Sequence, residues 1–237
     1  MRKALATLAI IAGLTAGCAP LLPRPTEPVE QVPTTFPAQR YLGAIARGEP
    51  VFRIDAARSL VVIEVRRAGS LARLGHDHVV ASRGVQGYVA PTEGLADLYV
   101  PLDRLTVDEP ALRTEAGFDT EPSEADIAGT RANMLGRVLE VERYPFALVT
   151  ASDVVPGVDN SAAQVAITLH GITRTTRIPV QIATENDEIT VNGGVVLKQS
   201  DFGITPLSIL GGAIQVQDEL NLRFQMRARR CFTQSCR

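Results

Sequence analysis

The sequence predicts a mainly β chain, an antiparallel barrel or sandwich of about eight strands with one inserted helix. Short segments rich in Val, Ile, Leu and Thr recur from Val51 to Ala228, separated by Gly, Asn or Asp turn signals. Most alternate apolar and polar residues, the period of a half-buried strand. One longer stretch, from Glu124 to Glu140, carries apolar residues at helical spacing instead.

Taken in order, "SLVVIEVRR" sets Val61, Ile63 and Val65 on one face and Leu60, Val62 and Glu64 on the other. "GVQGYVA" and "ADLYVPL" follow, the second opposing Ala96, Leu98, Val100 and Leu102 to Asp97, Tyr99 and Asp103. Ser123 caps the helix, and Asp126 supplies the acidic half of a capping box. Ile127, Thr130, Met134, Leu135, Val138 and Val141 form its apolar stripe. After Pro145 strand patterns return: "FALVTAS", "QVAITLHG", "TRIPVQIA", "EITVNGGVVLK" and "DELNLRFQMRA". The last opposes Leu220, Leu222, Phe224 and Met226 to Asn221, Arg223, Gln225 and Arg227. Eight strands closed into a barrel leave no edge, and hold either packed side chains or one ligand. Composition does not separate a solid core from a lined cavity.

The ends of the chain read differently. Residues 1–17 have a charged start at Arg2 and Lys3, then an apolar run too short to span a bilayer, as in a secretory signal. "LTAGC" resembles a bacterial lipobox, with Cys18 as the residue that receives lipid. Residues 18–50 are expected to be a Pro-rich tether, with "RYLGAIARGEP" adding one short helical turn before Pro50. The folded domain is expected over residues 51–230, and 231–237 form a tail. Export implies an oxidising compartment, so Cys231 and Cys236 are expected to form a local disulfide. Ala19 follows Cys18, so the expected location is the periplasm, lipid-anchored to the outer membrane.

The chain has 237 residues, 45% hydrophobic and 21% charged, with a net charge of −2 and no basic run. That balance excludes nucleic acid as a partner. Removing residues 1–17 takes away Arg2 and Lys3 and no acid, so the net charge becomes −4. Attachment to a membrane is therefore expected to rest on acyl chains at Cys18.

Only three histidines are present, two of them in "RLGHDHVVASRG". His76 and His78 share one face of a strand, with Asp77 opposite. Three roles are open for the pair: a structural one, contact with a ligand head group, or metal binding. A metal site requires at least three protein ligands, and His170 is the one further imidazole. Strand parity groups His170 with Gln164 and Thr168, away from Val165, Ile167 and Leu169. No nucleophile elbow, phosphate-cradling loop or His-Glu-x-x-His motif is present, and the expectation is a non-catalytic protein without cofactor. Asp97, Asp103, Asp108 and Glu109 are expected on strand exteriors or loops, in solvent.

"ITLHGITRTTRIPV" followed by "LKQSDFGI" resembles paired signatures of the YceI-like family of exported bacterial lipid-binding proteins. "DAARSLVVIEV", "MLGRVLEVERYPF" and "VQDELNLRFQMRA" resemble its first strand, its helix-to-strand link and its last strand. The resemblance covers about residues 51–229 and implies an eight-stranded, lipocalin-like barrel holding an isoprenoid or quinone-like amphiphile. Val61, Ile63, Val65, Phe202, Leu222 and Phe224 are then expected to contact the tail, and His76 and His78 the head group. The chain departs from the family pattern at Arg58 and near Arg67, where histidine is usual. It departs again in an acid-rich insertion from about Asp108 to Glu124, which offers a surface for a protein partner, and in the "GHDH" pair itself.

Overall fold

A closed ring of eight antiparallel strands carries the architecture. The computed structural model describes residues 31–153, 161–232 and 236, so the segment expected to be a secretory signal and Cys18 lie outside the described residues. The strands are β1 (Phe52–Ile54), β2 (Leu60–Val65), β3 (Arg67–Ala68), β4 (His78–Ser82), β5 (Gln86–Ala90), β6 (Leu95–Pro101) and β7 (Thr106–Val107). They continue with β8 (Phe146–Ser152), β9 (Ser161–Leu169), β10 (Ile172–Glu185), β11 (Glu188–Lys198), β12 (Ser208–Ile209), β13 (Ile214–Val216) and β14 (Glu219–Arg230). The ring runs β1-β5-β6-β8-β9-β10-β11-β14 and closes through β14 onto β1. The barrel expected from the sequence is thus the fold.

Two strand paths break midway. β1 and β2 both pair with β14, at 228–230 and 221–225 respectively, and a 3-10 turn at Ala56–Arg58 interrupts them. Ser59 Oγ mends the ladder there, donating to the Asp55 carbonyl at 2.8 Å and accepting from Arg227 N–H at 3.0 Å. β4 and β5 are parted at 83–85, so β2, β4 and β7 extend the wall at one end as a flange.

Strand alternation decides the interior. Phe52, Ile54, Val85, Val89, Ala96, Ala163, Val165, Ile178, Val180, Ile182, Ile189, Met226 and Ala228 form one buried cluster. Leu98, Val100, Val149, Ile167, Val191, Val195, Val61 and Phe224 continue that face toward the flange but are only partly buried. The face opposing Leu220, Leu222, Phe224 and Met226 is outward, as the alternation predicts.

Three helices cover the wall. α1 (Ala38–Ala46) is longer than the single turn expected, and it belongs to the compact unit from Pro33 onward. Tyr41 and Ala44 on α1 pack against Val51 and Ala90, and the Tyr41 ring stacks on Tyr88 with centroids 5.1 Å apart. α2 (Pro110–Ala116), unanticipated, buries Leu112 against Val62, Val79 and Ala81 on the outer face of the flange. α3 (Glu124–Asn133) starts with the predicted capping box between Ser123 and Asp126. It passes into a π-turn over Met134–Val138, short of the α-helix to Glu140 expected. The residue inserted by a π-turn rotates the face, so Ile127, Met134, Leu139 and Val141 carry the packing instead of Leu135 and Val138. Cys231 and Cys236 are joined, with their Cα atoms 5.5 Å apart.

Candidate functional site

The end of the barrel under α3 holds the half-buried apolar surface and the histidines. Register fixes the directions. Val65 pairs with His78, Ile63 with Val80 and Val61 with Ser82 across β2 and β4. Residues paired across a ladder share a face, so His78 points inward with Val61, Ile63 and Val65. Ile63 and Val65 pack with Val80, Leu102, Leu105, Val107, Ala147, Leu169 and the α3 side chains. Leu222 pairs with both Ile63 and Val195, and Phe224 with Val61, which puts both inward. Five of the six tail residues named from the sequence therefore line one continuous surface. The sixth, Phe202, is 2% exposed and sits in the short turn Ser200–Phe202 beyond β11.

The wall is split on this side. The β10–β11 ladder ends at Val180 and Gly193, where Pro179 has no N–H to donate. Beyond that point residues 172–179 of β10 pair only with β9. The turn after β11 packs here: a Cβ on Gly203 would lie 2.9 Å from Ile172 Cδ1. Gly193 gives room to a tail residue in the same way, since a Cβ there would lie 2.5 Å from Phe224 Cζ.

His78 is the centre of a buried polar network. Asp108 Oδ2 lies 2.6 Å from His78 Nδ1, while its Oδ1 accepts from Val79 N–H at 2.9 Å and Arg113 Nη1 at 2.7 Å. Arg113 also donates to the carbonyls of Asp77, at 2.6 Å, and Thr120. Thr130 Oγ1 on α3 lies 3.3 Å from His78 Nε2. The proton on Nδ1 donates to Asp108, and Nε2 faces the Thr130 hydroxyl. Burial alone raises the Asp108 carboxyl, but the bonds from His78, Val79 and Arg113 outweigh it and hold the group below the usual range.

Two acids were expected in solvent and are not. Asp108 is 4% exposed, at the left-handed φ of 57° that turns the chain from β7 into α2. Asp97 is 6% exposed beneath α1, accepting from Tyr41 Oη and Thr150 Oγ1, each at 2.7 Å. Burial, followed by the bond to Asp97, pushes the Tyr41 phenol far up. Asp103 is exposed as expected, and Glu109 is half-buried against Arg83 and Thr106.

His76 precedes β4, half-buried, with its ring centroid 6.1 Å from that of His78 and no hydrogen bond among the described residues. Asp77 points the opposite way and accepts from Arg67 N–H at 2.8 Å. His170 occupies the β9–β10 turn at φ 53°, its ring 4.4 Å from Tyr144 and its Nε2 3.3 Å from Glu140 without a hydrogen bond. Among the described residues no three His, Cys, Asp or Glu side chains gather as metal ligands, so His170 does not join the pair. Arg174 was missed from the sequence. Its pairing with Ile167 sets it on the inward face, exposed, with no ion pair among the described residues. The signal for it was the parity of "ITRTTRIPV", which runs 172, 174, 176, 178 along one face.

Comparisons with known proteins agree with this architecture. A polyisoprenoid-binding domain from Saccharophagus degradans superposes with a TM-score of 0.54 at 14% identity, covering 75% of this chain and 97% of that one. BcnA from Burkholderia cenocepacia superposes with a TM-score of 0.50 at 16% identity, covering 73% and 98%. No curated protein matches the sequence. The YceI-like domain model matches residues 52–228, the whole barrel from β1 into β14, and the chain belongs to the YceI-like family.

Proposed function

We propose that the protein is a periplasmic lipoprotein, anchored through Cys18, that sequesters one long-chain amphiphile such as a polyisoprenoid or quinone-like lipid in its barrel. One observation carries the reading: inside a closed ring of strands, Val61, Leu98, Val149, Val191, Val195 and Phe224 on the inward face keep accessible surface, while other residues of that face are buried. A filled core leaves such positions buried. The similarity to a polyisoprenoid-binding domain supports the same ligand class.

In this reading the tail lies along Val61, Ile63, Val65, Leu222 and Phe224, joined by Leu98, Val149, Val191 and Val195. Each buried methylene contributes about 0.8 kcal/mol, so a long chain needs few polar contacts to be held. Arg174 on the inward face and the half-buried His76 meet the head group, while His78, with both ring nitrogens engaged by Asp108 and Thr130, holds the wall beside them. The arrangement binds and shields; no step of bond-making is assigned to it. Organic extraction of purified protein followed by mass spectrometry tests the proposal. A stoichiometric prenyl or quinone-like lipid is expected, and protein that yields none overturns it.

A further inference from the structure

Of the six large apolar side chains most exposed among the described residues, three belong to two neighbouring loops: Leu74 at 57%, Ile209 at 44% and Leu210 at 70%. The loops are locked together. β13 pairs with β3 and with β12, Leu71 N–H donates to the Ala213 carbonyl at 2.8 Å, and a Cβ on Gly75 would lie 3.3 Å from Ile214 Cγ2. They form one protrusion. It leaves the barrel where β2 ends and β14 begins, the same end as His78 and the half-buried apolar face.

Two features set this protrusion apart from ordinary surface. Leu210 sits at φ 50°, a left-handed conformation that favours Gly or Asn, although Gly211 and Gly212 follow it. A bulky side chain is thus held outward, in water, where a smaller residue fits the turn better. The charge is also uneven: neither 66–76 nor 202–217 contains an Asp or Glu, while the first contains Arg66, Arg67 and Arg73. Arg66 and Arg67 are paired with acids outside the two loops, whereas Arg73 is exposed and makes no ion pair among the described residues. Clustered apolar side chains beside an unopposed cation, with no acid among them, match an anionic lipid surface.

We propose that this protrusion docks on an anionic bilayer, setting the barrel mouth against the membrane from which the amphiphile is drawn. The idea rests on the lipid-binding reading above, and it locates attachment beyond the acyl chains expected at Cys18. A Pro-rich tether of the kind expected after Cys18, at about 3.1 Å per residue when extended, would keep a bilayer within reach of the domain.

The chain has no tryptophan, so a Leu210→Trp variant of the full chain reports from one place. Leu74→Trp gives a second reporter on the same protrusion, and Phe232→Trp, at the far end of β14, a control. Each is mixed with vesicles of phosphatidylethanolamine and phosphatidylglycerol carrying brominated acyl chains. Burial about 5–10 Å into the interface predicts that the indoles of Leu210→Trp and Leu74→Trp lose about half their emission and shift to the blue, while that of Phe232→Trp is unchanged. Equal quenching in all three variants, or none in the two protrusion variants, overturns the proposal. A blue shift that follows protein concentration without vesicles also overturns it, since it assigns the protrusion to a second copy of the chain. No step depends on bound amphiphile, so failure here is distinct from failure of the lipid-extraction experiment.

Discussion

His78 and Asp108 form a 2.6 Å hydrogen bond across two elements that the sequence separates by thirty residues. The bond ties the inward face of β4 to the start of α2. Through Thr130, 3.3 Å from the other ring nitrogen, the same imidazole reaches α3 over the mouth. One side chain therefore couples the barrel wall to both helices of the insertion.

Asp108→Asn is expected to cost about 3 kcal/mol near neutral pH, because Arg113 then loses its buried counter-charge. The folded carboxyl lies below its ordinary value. Its contribution is therefore complete above the unfolded carboxylate value of about 3.9 and fades as pH falls through the lower folded value. Urea unfolding of both proteins across acid pH should show the gap closing on the acid side. A gap that widens there contradicts the assignment.

Tyr41→Phe removes one of two side-chain donors to the buried Asp97 carboxylate and loosens α1. A loss of about 1–2 kcal/mol is expected from leaving that acceptor short. An unchanged denaturant midpoint shows that α1 is held by its apolar face alone.

The inward pattern of β6 and β14 was legible because alternation survives burial: Leu98 and Val100, or Leu222 and Phe224, read correctly from parity. Asp97 and Asp108 were misread for a related reason. Alternation places Asp97 outside the barrel, which is right, but carries no sign that α1 would cover it; Asp108 lies in the turn after β7, where no alternation says that its carboxylate folds back onto His78 and Val79. α2 itself is too short to show a period, with Leu112 as its one buried residue. Parity grouped His170 with Gln164 and Thr168 on β9, but the strand ends at Leu169 and His170 lies in the turn beyond it at φ 53°. His78 was placed on the right strand, but its partners came from an insertion whose path no local pattern specifies.

Val149→Phe and Val191→Phe separate a lined cavity from a solid core. In a packed interior each added ring costs about 1–3 kcal/mol through strain. Against accessible space each is expected to leave stability nearly unchanged, or raise it, while lowering the lipid recovered. Calorimetry alongside lipid extraction reads both outcomes.

Gly193→Val tests the wall beside the split. The new side chain meets Phe224 and the Pro179 carbonyl, at 2.5 and 3.0 Å from the Cβ position. Displacing the Phe224 ring into the barrel should cost about 1–3 kcal/mol and reduce lipid content together with stability, unlike Val149→Phe.

The central claim is that one amphiphile occupies the barrel, and native mass spectrometry of the gently purified protein addresses it most directly. The account predicts a species heavier than the chain by the mass of one prenyl or quinone-like lipid, lost in Val149→Phe. A spectrum showing only the bare chain, in wild type and variant alike, would contradict it.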